Sequence, residues 1–117
     1  MSKQRQKGTA AETAVVNHLR ENGFGGAERR ALHGSLDQGD ITGTPGVAWE
    51  VKNHKRYSIP EWLGETEEET ANADADYGVL VVKPVGIGTT RVGEWWAIMP
   101  LDDMLNLLRD AGYGDQR

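Results

Sequence analysis

The chain has no cysteine among its 117 residues. That absence excludes disulfides, thiolate nucleophiles and cysteine–zinc sites together. Any metal must therefore rest on oxygen or imidazole ligands, which points to magnesium or manganese where carboxylates dominate. No apolar run approaches the roughly 18 residues of a membrane span, and the signal-peptide pattern of basic start, apolar centre and small-residue cleavage site is missing. The expected location is the cytoplasm. Internal repeats, linkers and low-complexity tracts are also lacking, so residues 1–117 are read as one domain. An excess of positive charge is absent too: the net charge is −5. Taken alone this counts against a nucleic-acid partner, which normally meets a basic surface.

What is present changes that first impression. With 38% hydrophobic and 26% charged residues the composition is that of a soluble globular protein large enough for one core. Residues 1–56 hold nine of the thirteen lysines and arginines against six acids, whereas the remainder holds four against twelve. The N-terminal half is basic and the rest is an acidic, solvated face. Lys3, Arg5 and Lys7 lie in a polar segment, residues 1–8, expected to be a flexible basic arm.

Apolar spacing predicts a helix from a Thr9 cap to a Gly23 stop, with Val15, Val16 and Leu19 as its stripe. A strand over Ala27–Leu32 and a turn-rich stretch His33–Gly39 follow. Asp40–Thr42 and Val47–Asn53 read as a hairpin joined through Gly43-Thr44-Pro45-Gly46. Pro60 opens a second helix to about Ala75, with Trp62, Leu63 and Thr66 inward and Glu65, Glu67, Glu68 and Glu69 mostly outward. The continuous apolar run Tyr77–Lys83 marks a central strand. Glu94–Met99 reads as a further strand, with one of Trp95 and Trp96 in the core and the other exposed, and Leu101–Ala111 as a closing helix. The order αβββαββα gives an α/β class, a mixed sheet flanked by helices.

Strand alternation puts Glu50 and Lys52 on one face of Val47–Asn53. A hairpin centred on Pro45 sets Asp40 opposite Glu50. Two opposed carboxylates repel unless a proton or cation lies between them. A divalent metal resolves the conflict, and Lys52 beside it can orient or deprotonate a water or neutralise a phosphate. Those are the parts of a phosphodiesterase. The plainer reading is an exposed strand with a cross-strand ion pair. Glu12 lies on the apolar face of the first helix, where it either joins this site or closes a Thr9–Glu12 capping box. Both readings stand at this point.

Asp40 with Glu50-Val51-Lys52 resembles the motif of the PD-(D/E)XK nuclease superfamily. Lys7-Gly8-Thr9-Ala10-Ala11-Glu12, followed by Leu19-Arg20-Glu21-Asn22-Gly23-Phe24, is similar to the opening of archaeal-type and phage Holliday junction resolvases. The likeness covers roughly residues 5–60, and the rest of the chain only in element order. It implies a restriction-endonuclease-like core and a homodimer that cuts four-way DNA junctions with metal-activated water, leaving 5′-phosphate and 3′-hydroxyl ends. The catalytic roles fall to Glu12, Ser35, Asp40, Glu50 and Lys52, with Mg2+ or Mn2+ on Asp40, Glu50, the Val51 backbone carbonyl and, in support, Glu12. Two departures stand out: Thr13 replaces the arginine that commonly follows the helix glutamate, and Gly39 replaces the proline before the aspartate.

Lys3, Arg5, Lys7, Arg29, Arg30, Lys55 and Arg56 are the candidate DNA contacts. His18, His33 and His54 lack metal-ligand spacing and are read as ordinary surface or half-buried residues, with His33 a possible DNA neighbour beside Ser35. Gly86-Ile87-Gly88 lacks the lysine of a phosphate loop and reads as a strand connection. The exposed tryptophan of the pair is the candidate dimer contact. Other superfamily nucleases, acting on flaps, ends or duplexes, and a non-catalytic DNA-binding or assembly subunit that meets a partner through the acidic helix are the alternatives.

Overall fold

The computed structural model describes residues 2–31 and 36–115. Its elements run α1 (Lys3–Glu21), β1 (Glu28–Arg29), β2 (Ile41–Thr42), β3 (Val47–Lys52), α2 (Ile59–Asn72), β4 (Tyr77–Val82), a 3₁₀ segment (Thr89–Glu94), β5 (Trp96–Ile98) and α3 (Leu101–Asp110). The predicted order and the mixed α/β class both hold. None of the described helices is long and apolar enough to cross a membrane.

The centre is a three-stranded sheet in the order β3-β4-β5, with β3 parallel and β5 antiparallel to β4. Parallel pairing of β3 and β4 requires a crossover, and α2 supplies it. The middle strand β4 is covered on both faces, which accounts for its unbroken apolar sequence. On one face Val51 and Val81 pack with Ala11, Val15 and Val16 of α1 and with Ala27, Ile41 and Trp95. On the other, Leu80 and Val82 pack with Trp62 of α2. Close approach of α2 to β4 depends on Gly78: a Cβ there would lie 1.9 Å from Thr70 Oγ1. Trp95 is buried and Trp96 is 45% exposed, as strand alternation required.

Several local expectations need correction. Residues 3–8 belong to α1 and are not an arm, because the helix starts at Lys3, where the Ser2 hydroxyl accepts from the Arg5 N–H at 3.1 Å; Met1 lies outside the described residues. No proline interrupts that stretch, so an earlier cap extends the helix. Thr9 is thus interior and cannot form a capping box with Glu12. Of the strand expected over Ala27–Leu32, the described residues show only Glu28–Arg29; Leu32 lies outside them. The hairpin is irregular: β2 pairs with β1, and it meets β3 through the Asp40 N–H, which donates to the Trp49 carbonyl at 2.7 Å. The second helix ends at Asn72, with Glu69 turned inward. Residues Thr89–Glu94 coil before β5 begins. In α3 the apolar stripe is left exposed, with Leu101, Leu105 and Leu108 all open to solvent.

Candidate metal centre

Asp40 stands at the entry to β2, and its backbone is placed by Gly39. That glycine has φ +100°, a conformation proline cannot adopt, and a Cβ on it would sit 2.8 Å from the Trp49 carbonyl oxygen. Glycine at position 39 therefore has a local cause. With its N–H on Trp49, Asp40 receives a second bond through Oδ2 from the Val51 N–H at 2.8 Å. These two bonds straddle Glu50 and bring the Asp40 and Glu50 carboxyls within hydrogen-bonding reach. The expected opposition is present, made by two anchoring bonds instead of a regular ladder.

Glu12 approaches from α1. Arg29 in β1 holds its Oε1 through two guanidinium nitrogens, each at 3.1 Å. Because α1 runs straight through Thr9, this carboxylate has no capping duty. Burial raises the Glu12 pKa, and so does the negative charge of Asp40, against the lowering effect of Arg29.

From the opposite side α2 contributes two acids. Glu65 Oε2 meets Lys52 Nζ at 2.8 Å, and Lys52 also lies over the Trp62 ring, 5.9 Å from its centroid. Glu69 is 1% exposed, and neither of its carboxylate oxygens has a hydrogen-bond partner among the described residues. It faces Glu50, which is itself buried. Asp37, held by the Gly39 N–H on Oδ1 at 3.0 Å, completes a group with Glu50 and Glu69 in which one oxygen of each lies within 4.8 Å of the others.

So many acids in one place hold on to protons. Asp40 is pushed up to about 8 by burial and then by the hydrogen bond and charge of Glu50, with the Val51 N–H and Lys52 opposing. Burial also pushes Glu50 up to about 8; Asp40 works against the rise and Glu69 adds to it. Glu69 is raised to about 7, again chiefly by burial, with Glu50 opposing and Asp37, Asp40 and Glu65 adding negative charge. Burial works to lower Lys52, but Glu65, Glu50 and Asp40 outweigh it and the pKa ends above its ordinary value. Lys52 is thus held as a cation, a state that suits orienting a water or phosphate and not removing a proton. A divalent cation would take the place of the protons among the carboxylates. An all-oxygen donor set with an orphaned buried carboxylate fits hard ions such as Mg2+ or Mn2+.

One cleft of about 690 Å³ gathers Glu12, Asp40, Glu50, Val51 and Lys52 with Arg5, Arg29, Arg30 and Asp37. The cleft thus holds most of the acidic side chains that converge on β3. Lys3, Lys7, Lys55 and Arg56 are outside its lining, and Ser35 and His33 lie outside the described residues. His54 lines the cleft and stacks obliquely on Trp62 at 5.3 Å. Arg30 donates to Gln38 Oε1 at 3.0 Å.

Sequence reasoning missed Asp37, Glu65 and Glu69. A signal existed for the helix pair: Glu69 falls seven residues after the buried Trp62 and three after Thr66, on the inward stripe. Nothing in the sequence marks Asp37. Comparison with known proteins finds no matching family model, no matching curated protein and no matching solved structure.

Proposed function

We propose that the chain is a magnesium-dependent, structure-selective endodeoxyribonuclease, and within that class a Holliday junction resolvase. The observation that carries the proposal is the convergence of Glu12, Asp40, Glu50 and Lys52, drawn from α1, the entry to β2 and β3, on one cleft that Arg5, Arg29 and Arg30 also line. Glu12, Asp40 and the adjacent pair Glu50 and Lys52, supplied by three separate parts of the chain, share a wall with cations suited to phosphate. Asp40 and Glu50 are the residues to hold the cation, with the Val51 carbonyl and Glu12 in support. A divalent ion there supplies Lewis-acid stabilisation of phosphate charge and lowers the pKa of water. Lys52, kept protonated by Glu65, Glu50 and Asp40, positions the scissile phosphate and offsets its developing charge. Arg29 keeps Glu12 extended towards Asp40, and Arg5 contacts the DNA backbone.

The junction substrate calls for two symmetric cuts and hence a twofold assembly. Trp96, exposed and edge-on to Tyr57 at 5.6 Å, is the proposed subunit contact. The apolar stripe left open on α3 supports association of this kind.

Cleavage of synthetic four-way junction, flap and linear duplex DNA, with and without magnesium, tests the proposal. Paired magnesium-dependent nicks in the junction, abolished in Asp40→Asn, are expected. Preferential cutting of flaps or duplex would instead make the chain another nuclease of the same superfamily. Binding without cutting would make it a DNA-binding subunit.

A further inference from the structure

We propose that Asp37, Glu50 and Glu69 form a second divalent-cation site, on the α2 side of Glu50, separate from the one assigned to Asp40, Glu50 and Val51. The first observation is geometric. One oxygen from each of the three carboxylates lies within 4.8 Å of the other two. Oxygens around one ion with bonds of roughly 2.0 to 2.6 Å are up to about 4 to 5 Å apart, so the three can share a cation.

The second observation is independent of that spacing. Glu69 is 1% exposed, is aimed into the group, and has no hydrogen-bond partner for either oxygen among the described residues. A buried carboxylate without a donor is costly to ionise unless a cation meets it. Lys52, the lysine of the neighbouring cleft, is already bound to Glu65 and leaves Glu69 without a cationic partner there.

Asp37 is positioned by neutral contacts. Asn72, at the end of α2, donates to its backbone carbonyl at 2.8 Å, and the Gly39 N–H holds Oδ1. Gln38 donates in turn to the Asn72 carbonyl at 3.2 Å. These bonds fasten the segment before Asp40 to the C-terminal end of α2, so both ends of the site are in place before an ion arrives. Oxygen-only ligands select Mg2+, Mn2+ or Ca2+ over softer metals. A cation here joins three parts of the fold: the segment leading to Asp40, strand β3 and helix α2. Glu50 bridges the two sites.

Mn2+ binding followed by calorimetry and electron paramagnetic resonance tests the site without reference to DNA cleavage. The wild-type chain is expected to take up two ions, Asp40→Asn to keep one, and Glu69→Gln and Asp37→Asn each to weaken one ion by roughly 10- to 100-fold. Asp37 is exposed, so its substitution leaves the fold intact, and far-UV circular dichroism checks Glu69→Gln. Two outcomes overturn the site: loss of all binding in Asp40→Asn, or unchanged binding in both Asp37→Asn and Glu69→Gln. Glu69 would then be a neutral acid sharing a proton with Glu50. The nuclease proposal fails separately, if the junction survives with the Asp40 ion bound.

Discussion

Removing the charge of Glu69 while keeping its shape is the sharpest test of the electrostatics. Glu69→Gln leaves the volume nearly unchanged and turns an orphaned acceptor into an amide that can donate to Glu50. In the metal-free chain the Glu69 pKa is raised from an ordinary 4.5 to about 7. The sign follows from linkage: a carboxyl with a raised folded pKa contributes stability below its unfolded value and loses it as pH rises through the folded value. The wild-type chain, held in chelator, should therefore lose stability between about pH 4.5 and pH 7, whereas the variant should not lose this part. At roughly 1.4 kcal/mol per pH unit, the difference approaches about 3 kcal/mol at pH 8. A domain of this size melts about 4 °C higher per kcal/mol. Thermal melts in EDTA should thus show Glu69→Gln roughly 10 °C above wild type at pH 8 and close to it at pH 4.5. Magnesium should raise the wild-type Tm at pH 8 more than the variant's. A gap independent of pH, or a variant less stable than wild type at pH 8, would refute the placement of Glu69 among acidic neighbours.

Lys52→Ala should leave the fold intact and lower junction cleavage by about 10²- to 10³-fold with little change in junction affinity, measured by single-turnover kinetics and gel shift. Gly39→Ala should destabilise the chain by about 1 to 3 kcal/mol in urea melts, because a side chain there must adopt φ +100° and meet the Trp49 carbonyl. Trp96→Lys, at a site 45% exposed, should convert a dimer to a monomer in sedimentation equilibrium while leaving the far-UV spectrum unchanged; a dimer that persists would place the contact elsewhere.

Much of the fold could be read from local pattern. The apolar run at Tyr77–Val82 reported a strand covered on both faces, and it is the middle strand. The glycines at 43 and 46 marked the turn and do adopt positive φ. The face shared by Glu50 and Lys52 followed from strand alternation and is the face that meets α2. What escaped notice is equally specific. The start of α1 is obscured in the sequence because Thr9 with Glu12 imitates a capping box, whereas Ser2 is the residue that caps. The burial of Glu69 is concealed because a run of glutamates looks like a solvated face. Helical periodicity from Trp62 pointed the other way, and periodicity governs burial.

By itself the sequence determined the element order, the α/β class, the opposition of Asp40 and Glu50, and the restriction of any metal to oxygen or imidazole ligands. Those properties depend on short-range geometry: strand alternation, helical spacing, turn glycines and the absence of cysteine. Only the tertiary structure decided which further acids join the pair. Gly78 lets α2 lie close against β4, and that contact carries Glu65 to Lys52 and Glu69 to Glu50. Asn72 and the Gly39 N–H bring Asp37 to the same place. The physical reason is that like charges repel along a sequence as weakly as solvent allows. Once α2 and β3 exclude water from between them, those same charges acquire a need for protons or cations that no local pattern expresses.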